Sequence, residues 1–559
     1  GMDYAISTSG VASTIGGGRS NTITTTSLYG TIGGGEQNTI NNTDSSTIGG
    51  GSKNTIIDNA DGSTIGGGLN NIINTNASAS TIGGGHTNSI ASAGFSSTIS
   101  GGNSNSVGAN GTYATIGGGQ SNIVTTGTHN SIGGGQTNTI TAGTHNNISG
   151  GNGNTVTAGD QNHIGAGNGN TVTAGTNSSI VGGSGNIQTT GSQNLIGGGS
   201  TNTIAAGTNS TIVGGSGNIH TLGSQNLIGG GIIDTITAGT DSTIVGGGVN
   251  THTSGTQNLI GGGTSNSIAA GTNSTIVGGA GNQHTTGSQN LIGGGSTNTF
   301  AAGTNSTIVG GSGNQHTTGS QNLVGGGSSN TVADGTNSAI VAGTNNQHIS
   351  GTQNLIGSGS SNIITAGTNS SIVGGTGNQH TAGSQNLIGG GALNTVAAGS
   401  NSTIVGGMSN QQTTGTQNLI GGGSSNTIAA GTNSTIVGGS GNQQTAGSQN
   451  LIGGGSSNTF ADGSNSTIVG GSGNQHTNGT YNLIGGGSSN TISAGSNSTI
   501  VGGTGNQQTA GTQNLIGGGT SNTVTAGTNS SIIGGTGNQQ TAGSQNLVGG
   551  GSSNTIANG

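Results

Sequence analysis

From residue 132 to residue 548 an Ile or Val returns every sixteen residues, through Ile132, Ile148, Ile164, Ile180 and Ile196 to Val548, without an insertion or deletion. A short fixed period rules out a fold built around one central core. It demands a stack of like units, each burying its apolar residues against its neighbours. The same anchor continues towards the N-terminus at Ile116, Ile99, Ile82, Ile65, Ile48, Ile32 and Ile15, where the step is mostly seventeen. A second apolar residue follows each early anchor by eight: Ile23, Ile40, Ile56, Ile73, Ile90, Val107, Val124 and Ile140. The extra residue always falls after that second site. One turn of each unit therefore tolerates insertion and the other does not, as expected of a surface loop opposite a fixed turn.

Segments such as NTI and STIVGG are short and β-branched, with Gly, Asn and Ser on both sides, and read as strands. The pattern predicts an all-β parallel β-solenoid (a β-roll) of about 34 coils, with 16–17 residues and two short strands per coil. At ~4.8 Å between stacked strands such a rod is roughly 160 Å long. The chain has no Pro, which suits a backbone whose N–H groups nearly all pair with the next coil. Asn recurs six residues after the anchor, as at Asn21, Asn38, Asn54, Asn202 and Asn218, with Asp234 as the departure. Stacked amides are expected to bond along the rod as a ladder. Gly recurs two residues after the anchor, as at Gly198 and Gly214. It is expected to supply either a positive φ or close approach of another backbone.

The chain divides near residue 174. Coils in 1–174 are all of one type. In 175–559 two coil types alternate as a 32-residue unit, opened by Gly191 and again by Gly223, Gly255 and Gly287. In one type the position eight after the anchor is apolar, as at Ile204, Ile268, Phe300 and Val332. In the other it is polar: His220, His252, His284, His316, His348, His380 and His476, or Gln412 and Gln444. The anchor's neighbours alternate too. In a strand they point outward. They are Leu195 and Gly197 in one coil, Thr211 and Val213 in the next. Leu227, Leu259, Leu291 and Leu323 continue one column, and Val245, Val277 and Val309 the other. An apolar stripe of this length is expected to meet a partner rather than water. The competing reading is a bulge that turns the leucines inward.

Charge excludes several functions. Only Arg19 and Lys53 are cationic, and the net charge is −8 over 559 residues, so neither nucleic acid nor an anionic membrane has a footprint here. No apolar run reaches transmembrane length, and no secretion signal is visible at the start. There is no Cys. Successive His of the column are two coils apart, roughly 9–10 Å by strand spacing, too far to share a metal ion within one chain. The acidic residues, from Asp3 and Glu36 to Asp334 and Asp462, are scattered, with no pair for acid–base work. No catalytic residue, metal or cofactor is expected. Asn209-Ser210-Thr211 and Asn273-Ser274-Thr275 match the glycosylation sequon, a weak signal in a chain so rich in these residues.

The runs GSTIGGGLNN, STIGGGHTNSIASAG and NSTIVGGSGN resemble the head repeats of YadA-like trimeric autotransporter adhesins, and related repeats of phage and giant-virus fibre proteins. The resemblance implies a left-handed, trimeric, extracellular β-roll used for adhesion or as a spacer. The family's repeat is usually a little shorter, and neither a membrane anchor nor a coiled-coil stalk is present in this sequence. The expectation is a non-enzymatic fibre on a cell or virion surface that self-associates, as a trimer or lateral bundle. The alternatives are an adhesin whose irregular coils 1–174 contact a host surface or glycan, and an ice-binding solenoid. The last would need an unbroken hydroxyl face, which the leucines interrupt.

Overall fold

The computed structural model describes residues 11–24 and 26–558, together with the backbone of Tyr4–Ile6. Asp3 and the Gly1-Met2 start lie outside the described residues. The chain forms two compact units, Gly1–Gly281 and Asn282–Gly559. Each is a parallel β-solenoid with no helix among its described residues, and the chain carries about 34 stacked coils in all. The change in surface pattern near residue 174 falls inside the first unit.

Each coil contributes one strand to each of two parallel ladders. In the first unit Leu195 pairs with Thr211 and Ile196 with Ile212 in one ladder, and Ile204 with His220 in the other. In the second, Leu387 pairs with Thr403 and Val396 with Gln412. Like positions stack on like positions, so the apolar period becomes a continuous core. Ile132, Ile196, Ile204 and Ile212 are fully buried in the first unit, as are Phe300, Ile388, Ile404 and Phe460 in the second, with Ile388 only 1% exposed.

The anchor strand is short, as at Leu195–Ile196 and Thr403–Ile404. The other strand is not. From Thr155–Asp160 onward nearly all are six residues long, such as Thr203–Thr208 and Gln379–Ser384. Two short strands per coil therefore holds only for the early coils, such as Ser89–Ile90. All the six-residue strands lie in sixteen-residue coils, although Thr139–Ile140 and Thr459–Phe460 stay two residues long in coils of that length. Without a loop to break it, the backbone keeps its register around the corner, with Val156 on Val172 and Gly159 on Gly175, and it skips pairing only at Thr157.

The glycine expectation is corrected by one residue. A Cβ at Gly198 or Gly214 would touch nothing, and neither has a positive φ. Ala166, Ala342 and Ser358 occupy the same position without penalty. The demand falls on the next residue. Gly199 and Gly295 have a φ of 85°, and a Cβ there would overlap the carbonyl oxygens of Gly215 and Gly311 in the following coils. That site needs both the left-handed conformation and the close approach.

The Asn column is a ladder, but mostly between side chain and backbone. Asn202 Oδ1 accepts from the Asn218 backbone N–H at 2.9 Å, and its Nδ2 donates to the carbonyls of Gly198 at 2.9 Å and Gly215 at 3.1 Å. Asn426 does the same with Asn442, Gly422 and Gly439 in the second unit. Direct amide-to-amide bonds are few, as from Asn54 to Asn38 and from Asn71 to Asn54, both at 3.1 Å. The sharp glycine turn leaves the Gly198 carbonyl and the Asn218 N–H without backbone partners, and these claim the amide first.

Candidate functional site

Two features distinguish the alternating coils: an outward apolar face and a buried polar column. Both are set by the two-residue period of the strand. The anchor Ile points in, so its neighbours point out. Leu195 is 37% exposed and Val213 53%. Val245, Val277, Val309, Leu291 and Leu323 are likewise exposed, and Leu227 and Leu259 are half-buried in the same outward column. None of these leucines fills the core, which removes the bulge reading. A Cβ at Gly197, beside Leu195, would overlap the Val213 backbone. Each Leu therefore stands beside a dip that a larger residue cannot occupy.

The polar column faces inward. His220, His252, His284, His316, His348, His380 and His476 are 1–2% exposed. Gly207 and Gly239 make room, since a Cβ on either would come within 2.8 Å of the imidazole of His220 or His252. A second Asn column, not singled out from the sequence, fixes each ring. Asn226 Nδ2 donates to the Gly239 carbonyl at 2.7 Å, and Asn226 Oδ1 accepts from the Ser242 N–H at 3.0 Å. With the amide oriented by these two bonds, Nδ2 also donates to His220 Nε2 at 2.8 Å. The ring proton is thereby placed on Nδ1. In the second unit Asn386 holds His380 in the same way at 2.9 Å. The Nδ1 atoms of His316, His348, His380 and His476 have no partner, and the rings of Phe300 and Phe460 lie 4.9 Å from those of His316 and His476.

Desolvation in this setting pushes each of the seven imidazoles down to about 4. The Leu222 and Ser254 carbonyls oppose it slightly at His220 and His252, and Asp334 and Asp462 do so at His348 and His476. Where Gln replaces His, the amide turns to the serine ten residues earlier in its own coil: Gln412 Nε2 donates to Ser402 Oγ and Gln508 to Ser498 Oγ, both at 2.6 Å. Among the described residues no group of three or more His, Asp or Glu is placed to hold a metal ion.

Asp234 breaks the main Asn column and is fully buried. Its Oδ1 accepts from the Asn250 N–H at 2.8 Å, so the ladder runs on. Its Oδ2 has no partner. In the neighbouring coils the matching atom is an amide nitrogen that donates to two glycine carbonyls, as Asn250 Nδ2 does to Gly246 and Gly263 at 3.0 Å. An oxygen among carbonyl oxygens needs a proton, and burial raises the Asp234 pKa accordingly. Neutral Asp234 supports the coil at low pH, and that support is lost as pH rises beyond the ordinary carboxylate range. Asp234→Asn is expected to stabilise this part of the rod by about 1–3 kcal/mol at pH 8, and by less at pH 4. Local hydrogen exchange at the two pH values measures this. An equal effect at both would mean Asp234 is never ionised.

The same coil and the next share a strained corner. Ile233 and Val249 are β-branched residues at φ near 60°, exposed beside Ile232. Further towards the N-terminus, exposed rings form a column: Phe95 lies edge-on to Tyr113 at 5.7 Å, Tyr113 stacks on His129 at 4.7 Å, and His129 on His145 at 4.8 Å. These rings lie too irregularly in the sequence to be seen without the coil register.

The fold and its columns define a β-solenoid repeat protein. No family model matches the chain, and no curated protein is significantly similar to it.

Proposed function

We propose that this protein is a non-enzymatic structural fibre of a cell or virion surface, which associates with copies of itself through the outward Leu-and-Val face. One observation carries the reading: an uncharged apolar face that recurs every two coils. A monomer in water would leave this face exposed in each unit from about residue 175 onward. The likeness of NSTIVGGSGN and similar runs to adhesin and fibre repeats supports the surface role. So does the near absence of charge, which avoids stacking like charges one strand spacing apart. Sedimentation of the full chain over a range of concentrations tests the reading. The expected result is a species heavier than one 52.2 kDa chain that persists at high salt. A single-chain mass throughout overturns it.

A second reading has its own observation. The exposed column of Phe95, Tyr113, His129 and His145 sits in the irregular coils, in a chain with 1% aromatic residues. It gives an adhesive tip a place to contact a host glycan or protein. Glycan-array binding by the parent, lost in Tyr113→Ser, would favour this role.

A further inference from the structure

We infer that two copies pair face to face in parallel and in register, with the Leu of each seated over the glycine dip of the other. The inference rests on the self-association proposed above and adds its geometry. It is drawn from the second unit, where the pattern runs without a break.

The face has two columns, one on each side of the buried anchor. Their Cα atoms are ~7 Å apart, two residues along a strand. One column reads Leu387, Thr403, Leu419, Thr435, and the other Gly389, Val405, Gly421, Val437. Bulk alternates along each column, and the columns are out of step by one coil. Leu387 stands beside Gly389, and Gly389 lies between Val373 and Val405 in its own column. The dip is obligatory, because a Cβ at Gly389 or Gly421 would overlap the backbone of Val405 or Val437.

A second copy related by a two-fold axis along the rod has its columns exchanged. Its Leu387 then lies over Gly389, flanked by Val373 and Val405, so the largest knob enters the deepest hole. Its Val405 lies over Thr403. Sliding the copy by one coil sets Leu on Val, knob against knob. Translation is thus allowed only in two-coil steps, and zero offset buries the most surface. An antiparallel copy keeps its columns in place and sets Leu over Thr403, a shallower site. A partner that meets every Leu must itself repeat at two coils, ~9.6 Å. This chain supplies that repeat. The face carries no charge that would select an oppositely charged protein instead.

Single cysteines at Thr307, Thr403 or Thr499 test the geometry. All three are outward Thr positions, the parent has no Cys, and Leu and Val are untouched. In the parallel pair each cysteine faces its own counterpart at roughly 12 Å, from the sheet spacing and the column offset. A short bismaleimide is expected to link all three variants as dimers. In an antiparallel pair same-numbered residues meet at one level only, so at most one variant would link. That result overturns the inference, as does absence of links in chains that sediment as assemblies. Chains that sediment as single copies would overturn the self-association reading itself.

Discussion

Lowering the pH from 7.5 to 5 is expected to destabilise the rod, and changing the seven column histidines to Gln is expected to remove most of that sensitivity. The cause is the pairing of each ring with a fixed donor. Protonation of His220 or His380 would set an Nε2–H against an Nδ2–H of Asn226 or Asn386, and it would place a charge in a buried site. The folded pKa of about 4 lies below the ordinary value of 6.5. The unfolded chain therefore takes up protons first as pH falls. Stability held above pH 6.5 drains away between there and pH 4. At pH 5 the loss is about 2 kcal/mol for each His. Among the described residues, the charges that act on the column are Asp334 and Asp462, which lessen it slightly at His348 and His476. In a solenoid the loss is felt coil by coil. Hydrogen exchange should quicken around His316 and His380 while coils bearing Gln508 stay protected, and the thermal midpoint of the parent should fall. Equal pH sensitivity in parent and Gln variant would place the rings in water and contradict the packing described above.

Much of this was legible in the sequence because a solenoid converts period into position. Once Ile196 and Ile212 are taken as inward, strand alternation alone sets Leu195 and Val213 outward, and His220 goes inward because it stacks on the position that Ile204 fills in the coil before it. The misreadings share a cause: they turn on the backbone rather than on side-chain polarity. Gly198 and Gly199 are identical letters, and only the turn shows that the second bears the left-handed φ and the neighbouring carbonyl. The six-residue strand at Thr203–Thr208 was hidden because Ala205, Ala206 and Gly207 carry no strand signal of their own. Ala206 and Gly207 pair because the coil beneath them does, while Ala205 is the position that skips pairing. The Asn226 column is hard to see in the sequence because it alternates with Ser210 and Ser242 and so lacks the regularity of Asn202 and Asn218. Its signal was present all the same, as Asn recurs two residues before the anchor in each Leu-bearing coil from Asn194 onward.

The most direct test of the account is to remove the apolar face while keeping the coil. Leu355, Leu387, Leu419, Leu451 and Leu483 are outward residues of alternate coils in one unit, each exposed by more than a third. Changing these five to Ser, together with Leu195, Leu227, Leu259, Leu291, Leu323, Leu515 and Leu547, removes the knobs without touching the buried Ile388, Ile404 or Asn394. Native mass spectrometry and circular dichroism are then read together. The account predicts an unchanged β spectrum and a shift from assemblies to the single 52.2 kDa chain. Assemblies of unchanged mass would contradict the claim that this face joins the copies. Loss of the β spectrum would show that the leucines belong to the core.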